Sequence, residues 1–151
     1  MKFENKNHAP IKIREIISGG NTLFLNPGLN ISELSKIMQL QEVSVFPVGN
    51  ENKVSGIITE RDVIVRVLAK DLDPHQTLVS EVMSQDIASC SANDNLEDAI
   101  DKMYQRRVSN LVVKNNYDKI IGVVSLKDII QQIACENTKK GCLKAYIKDI
   151  V

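Results

Sequence analysis

Val54-Ser55-Gly56-Ile57-Ile58-Thr59-Glu60-Arg61-Asp62-Val63-Ile64 returns as Ile120-Ile121-Gly122-Val123-Val124-Ser125-Leu126-Lys127-Asp128-Ile129-Ile130, 66 positions further along the chain. Self-similarity at a fixed spacing marks a structural repeat. Upstream, Ile13, Ile16 and Ile17 have counterparts at Val79, Val82 and Met83 with the same spacing. In between, Ile31, Leu34, Met38, Val43 and Ser44 match Leu96, Ala99, Met103, Val108 and Ser109 at a spacing of 65. One residue is lost before the first long helix and one is gained in the hairpin near Asn115-Asn116. The 151 residues thus read as two copies of one unit, over 11–70 and 77–136, followed by a tail over 137–151. A unit of about 60 residues is marginal alone, so the copies are expected to pack on each other.

Each copy carries the same order of elements. Leu23-Phe24-Leu25 and Ile87-Ala88-Ser89-Cys90 are short β-leaning runs, ended by Asn26-Pro27-Gly28 and Asn93-Asp94-Asn95. Apolar residues at helical spacing follow: Ile31, Leu34, Ile37 and Met38 in one copy, Leu96, Ala99, Ile100 and Met103 in the other. Val43–Val48 and Val54–Ile58, joined through Gly49-Asn50-Glu51-Asn52, predict a hairpin, and Val108–Val113 with Ile120–Val124 predict its twin. A second helix is expected over Arg61–Ala69 and again over Lys127–Cys135. The fold class is therefore mixed α/β (α+β), β-α-β-β-α twice, with Lys70–Gln76 as linker. Beyond a break at Gly141, the stripe Leu143, Tyr146, Ile147 and Ile150 predicts a C-terminal helix whose apolar face needs cover.

Composition narrows the function without naming it. Nineteen Lys+Arg balance nineteen Asp+Glu, and no cluster of five or more Lys/Arg occurs, which argues against a nucleic-acid binder. Aromatics are 4% with no Trp, so the core must be aliphatic and there is little on which bases could stack. No run approaches the ~18 apolar residues of a membrane span, and Met1–Lys6 lacks the apolar stretch of a signal peptide. Three cysteines without metal-ligand spacing fit a reducing cytoplasm. Cys135 and Cys142 would stand roughly 10 Å apart were the segment between them one continuous helix, too far for a disulfide. A cytoplasmic protein requiring no metal is expected.

The chemistry-bearing feature is Gly-aliphatic-aliphatic-Thr/Ser-x-x-Asp, present in both copies where a strand meets a helix. Thr59 with Asp62, and Ser125 with Asp128, fit a capping box, which would satisfy first-turn backbone N–H groups and nothing more. The same groups suit a phosphoribosyl ligand. Free N–H donors and a positive dipole end favour phosphate, a hydroxyl can bond phosphate or ribose, and a carboxylate can accept both hydrogens of a ribose diol. Arg61 and Lys127 add a cation beside each turn, and Gly56 and Gly122 permit close approach.

The repeated unit, the strand Val43-Ser44-Val45-Phe46-Pro47-Val48 and the Gly-Ile-Ile-Thr-Glu-Arg-Asp turn resemble a cystathionine β-synthase (CBS) domain. Two in tandem resemble a CBS pair, or Bateman module, over about Ile11 to Ala134. The layout is similar to stand-alone bacterial CBS-pair proteins. The resemblance implies pseudo-twofold symmetry and two clefts for adenosyl ligands, AMP first among them, with ADP, ATP, NAD or S-adenosylmethionine as others. On this chain, Asp62 and Asp128 would hold ribose diols. Thr59 and Ser125 would bond ribose or phosphate, with Arg61 and Lys127 near the phosphate. The backbone of Val43-Ser44-Val45 and Val108-Ser109-Asn110 would read the adenine edge, and Thr22-Leu23 and Ile87-Ala88 would line the base. Two positions depart from the family pattern: Val112 stands where the first copy has Pro47, and Asn110 where a small or apolar residue is usual. The first copy, which keeps Thr59, Arg61 and Asp62 together, is expected to be the tighter site. The resemblance also implies a homodimer.

An enzyme is the first alternative. His8 and His75 fall in loop or linker, and neither makes an acid–base dyad or a helix-borne metal pair. The second alternative is a ligand-independent dimeric scaffold in which both turns only cap helices. The reading carried forward is a non-catalytic nucleotide sensor, reporting energy or redox state to an unidentified regulated protein.

Overall fold

The computed structural model describes residues 10–17 and 22–137. His8, Cys142 and the expected C-terminal helix lie outside the described residues. The elements appear in the expected order, except that Leu23-Phe24-Leu25 forms a single bridge at Leu25 rather than a strand and that Val79–Val82 adds a short helix. Among the described residues a 3-10 turn, Ile13–Glu15, comes first, followed by α1 (Ile31–Gln41), β1 (Val45–Asn50), β2 (Lys53–Thr59) and α2 (Glu60–Arg66). A second 3-10 turn, Leu68–Lys70, leads to α3 (Val79–Val82), and then come β3 (Ser89–Ser91), α4 (Leu96–Arg106), β4 (Asn110–Lys114), β5 (Ile120–Ser125) and α5 (Leu126–Asn137).

The two copies match down to their irregularities. Both α1 and α4 end in a left-handed residue, Glu42 and Arg107, each with φ of 52°. Both hairpins are antiparallel and carry a register shift at the same place, after Val48 and after Val113. Gly49, at φ 125°, forms the first of these shifts, so the strands close on Glu51-Asn52 rather than on the expected four-residue turn. One sheet has three strands, β3-β4-β5 with β3 parallel to β4, whereas the other has two strands and a parallel bridge from Leu25 to Val48. A proline accounts for the difference. The N–H of Val112 donates to the Ala88 carbonyl at 3.0 Å, but Pro47 at the equivalent position has no N–H to donate. The expected second helix of the first copy also differs, since α2 stops at Arg66 and a 3-10 turn completes the segment.

The copies do not merely stack; they exchange their leading segments. Ile13 is fully buried among Cys90, Leu96, Ala99, Met103, Leu111 and Ile129 of the second copy. Val79 and Val82 are buried among Leu25, Ile31, Leu34, Phe46 and Ile58 of the first. The backbone bonds mirror each other. Ile13 N–H donates to the Asp94 carbonyl at 3.0 Å, and Val79 N–H to the Leu29 carbonyl at 2.8 Å. Leu96 N–H reaches Ile11 at 3.2 Å, and Ile31 N–H reaches Thr77 at 3.0 Å. Burying one such aliphatic side chain is worth about 1.5–3 kcal/mol, so each copy depends on residues that precede the other.

Candidate functional site

The exchange leaves a cleft on each side of the junction between the copies, and each cleft draws its two walls from different repeats. One, of about 1200 Å³, sets Thr59, Arg61 and Asp62 against Ala88 and Val108-Ser109-Asn110. The other, of about 500 Å³, sets Ser125, Lys127 and Asp128 against Thr22, Leu23 and Val43-Ser44-Val45. Ile87, expected beside Ala88, is half-buried and does not line the cleft. Of the two departures in sequence, Asn110 sits in the wall of the larger cleft with its amide bonded to the Ser109 hydroxyl at 3.3 Å. Val112, the other, is fully buried and lines neither cleft, whereas Pro47 at the equivalent position lies in the wall of the smaller one.

Both acidic turns are capping boxes in their geometry. The Asp62 Oδ2 accepts the Thr59 N–H at 2.8 Å and its hydroxyl at 2.7 Å, while the Thr59 hydroxyl oxygen accepts the Asp62 N–H at 3.2 Å. The second copy repeats this with Ser125 and Asp128 at 2.8, 2.6 and 3.1 Å. One carboxylate oxygen is thus committed to the helix start, and the other decides what the cleft can hold.

That second oxygen differs between the copies. The Asp62 Oδ1 faces Arg66 Nε at 3.4 Å and the Ser84 hydroxyl at 3.5 Å. Arg66 also donates to the Val82 carbonyl at 2.6 Å and to the Ser84 hydroxyl at 3.0 Å, which ties α2 to the exchanged segment after α3. In the second copy the position of Arg66 is held by neutral Gln132, and among the described residues Asp128 makes no bond through Oδ1. A diol approaching Asp62 meets an oxygen already shared with a guanidinium, whereas Asp128 offers one unshared among the described residues.

Sequence reading placed the acidic turns but missed Arg66, Ser84, Glu42 and Arg107, all of which line a cleft. A signal existed for some of them. Arg66 stands four residues after Asp62, the helical spacing at which a carboxylate and a cation meet. Glu42 and Arg107 are 65 positions apart, in register with the repeat. Ser84 carried no signal, because only the exchange of segments brings it to Asp62.

Cys90 is buried in the second core. Burial first, and the charge of Asp94 second, push its thiol up to about 11. His75 lies in an exposed turn where its N–H donates to Asp73 at 2.8 Å. Among the described residues no group of three His, Cys, Asp or Glu is placed to hold a metal ion, and no helix is long and apolar enough to cross a membrane.

A duplicated β-α-β-β-α unit, with exchanged leading segments and two clefts each walled by both repeats, defines a paired-repeat α/β module. The chain belongs to the CBS domain family, whose model matches residues 13–69 and again 79–135. It is 32% identical over 114 residues to CBS domain-containing protein YhcV of Bacillus subtilis, covering 75% of this chain and 80% of that protein. Its fold is similar to that of the CBS domain pair of protein MJ0100, solved in complex with 5-methylthioadenosine and S-adenosyl-L-methionine, with a TM-score of 0.74, 22% identity and coverage of 85% and 99% of the two chains. It is also similar to CBS domain protein PAE2072 from Pyrobaculum aerophilum complexed with AMP, with a TM-score of 0.70, 21% identity and coverage of 83% and 99%.

Proposed function

We propose that this chain is a non-catalytic regulatory module that binds an adenine nucleotide in the clefts between its two repeats. The observation that carries the reading is the make-up of each cleft. A hydroxyl, a cation and a carboxylate from one repeat face strand-entry backbone from the other. A ligand held by both walls stabilises one relative setting of the repeats over others, and that differential affinity is what a sensor requires. The complexes of MJ0100 with S-adenosyl-L-methionine and of PAE2072 with AMP support an adenosyl ligand in this fold. AMP is the first candidate, with ADP, ATP, NAD and S-adenosylmethionine as the others. The two walls support these roles for the site residues. Asp62 and Asp128 take the ribose side, Arg61 and Lys127 the phosphate, and Val43–Val45 and Val108–Asn110 the base. A homodimer in the cytoplasm acting on a regulated protein completes the proposal.

Thermal unfolding with each of these ligands tests it. A ligand at 100-fold over its dissociation constant adds ~2.7 kcal/mol, which raises the midpoint by several degrees. A midpoint indifferent to all of them refutes the reading, and release of product from a bound nucleotide refutes its non-catalytic part.

One observation favours a second reading, that of a ligand-independent scaffold. Both carboxylates already cap helices through one oxygen, and Asp62 shares its other with Arg66. A flat ligand panel together with an intact dimer would select it.

A further inference from the structure

Glu42 and Arg107 occupy the same position in the two repeats, with the same left-handed backbone at φ 52°, and each lines a different cleft with the opposite charge. Resting on the nucleotide reading, we propose that the clefts are specific for different ligands. The Arg107 cleft takes a nucleoside polyphosphate, and the Glu42 cleft takes an adenosyl ligand with one phosphate or none.

The charge on the walls supports the division. Among the described residues, the larger cleft carries Arg61, Arg66 and Arg107 against Asp62 and Asp86. Both of those acids are engaged, Asp62 with Arg66 and Asp86 with Arg106, so Arg61 and Arg107 set the sign of the field. Among the described residues, the smaller cleft carries Lys127 against Glu42 and Asp128. A triphosphate brings three to four negative charges, and each carboxylate it meets without a compensating cation opposes binding. Guanidinium groups also match phosphate geometry through paired N–H donors, which an ammonium cannot do. The larger cleft, of about 1200 Å³, also leaves more room for a polyphosphate chain than the smaller one, of about 500 Å³.

The carboxylates follow the same division. Asp128, with one oxygen unshared among the described residues, grips a ribose diol, which is what a cleft poor in phosphate contacts must rely on. In the larger cleft, where Arg66 competes for Asp62, phosphate provides the main hold.

Calorimetric titration of the full chain with ATP and with AMP, in EDTA, tests the proposal through Arg107→Glu and Glu42→Arg. Each substitution installs the residue that the fold already carries at the equivalent left-handed position, and melting by circular dichroism verifies that both variants fold. The wild type is expected to bind one ATP per chain. Arg107→Glu should weaken it by about tenfold or more, and Glu42→Arg should create a second ATP site, while AMP binding at the Asp128 cleft survives Arg107→Glu. ATP filling both clefts alike or neither while AMP binds, or ATP affinity indifferent to the two swaps, overturns the division and leaves the nucleotide reading standing. Failure of every adenosyl ligand to bind overturns both.

Discussion

Gly56 lies directly against Met83: a Cβ built on Gly56 would stand 2.5 Å from the Met83 Sδ, 2.8 Å from its Cγ and 3.0 Å from the Ser84 carbonyl oxygen. That contact is the seam of the segment exchange, since Ser84 pairs with Ile57 through two backbone bonds of 2.8 and 2.9 Å. The equivalent seam at Gly122 is looser, with Ile17 Cγ2 at 3.4 Å. Gly56→Ala should therefore cost about 1–3 kcal/mol through overpacking, lowering the melting midpoint by roughly 3–10 °C. Gly122→Ala should change stability by no more than ~0.5 kcal/mol. Equal effects of the two substitutions would show that the seams are equally tight.

Arg66 fastens α2 to the chain after α3 through Val82, Ser84 and Asp62. Arg66→Ala is expected to destabilise the fold by about 1–3 kcal/mol, because a carbonyl and a carboxylate lose a charged donor. It should also speed proteolysis in the connecting turn over 71–77. The same variant removes the competitor for Asp62 Oδ1, so the penalty for a 2′-deoxyribose nucleotide in that cleft should grow. A discrimination unchanged from wild type would mean that Asp62 does not contact the ribose.

The two capping carboxylates separate stability from binding. Asp62→Ala and Asp128→Ala should each cost ~0.5–2 kcal/mol from the lost cap. If Asp128 holds the diol, its variant should additionally lose on the order of 1.5–3 kcal/mol of AMP affinity in calorimetry. A loss of stability with affinity unaltered would assign Asp128 to capping alone.

Cys90, with its thiol pushed up to about 11, should be inert in the folded protein. At pH 8 its thiolate fraction is on the order of 10⁻³, and burial adds steric protection. Iodoacetamide labelling followed by peptide mass spectrometry should modify Cys90 at least ~100-fold faster in urea than in buffer. The raised value has a consequence for stability. An unfolded thiol ionises near its usual value while the folded one does not, so this group leaves stability flat at lower pH and reduces it as pH climbs toward 11.

Asp94 gives the opposite slope. Burial works against its charge, but hydrogen bonds from Lys102 at 2.6 Å and from the Ser91 N–H at 3.0 Å hold its carboxyl below the ordinary value. Its contribution is full above the unfolded carboxyl's value of about 3.9 and fades as pH falls through the lower folded value. Lys102→Met should lower the midpoint at pH 7 by at most about 2–4 °C, and the gap should narrow as pH falls below the ordinary carboxyl value. A gap that persists in acid would place the effect in packing rather than in the ion pair.

Much of the fold could be read before any tertiary contact was known. Helices α1 and α4 follow from apolar residues at helical spacing, and both hairpins from paired β-branched runs. The misjudged boundaries have local physical causes. The first hairpin strand was expected from Val43, but α1 ends in left-handed Glu42 and the Val43 N–H still bonds Met38, so β1 begins at Val45. The acidic turns were legible as both cap and candidate ligand site, because the two uses call for the same hydroxyl and carboxylate.

What the sequence determined by itself was the duplication, the element order and the residues that start each second helix, since these depend on neighbours within a few positions. Tertiary structure decided everything that joins distant positions. It placed Ile13 in the second core and Val79 in the first, combined each acidic turn with the strand entry of the other repeat, and drew Ser84 onto Asp62 while leaving an oxygen of Asp128 unshared among the described residues. A repeat pattern is symmetric and treats both copies alike. Only the packed chain shows which groups meet, and there a single Arg-for-Gln or Glu-for-Arg difference makes two similar clefts chemically unlike.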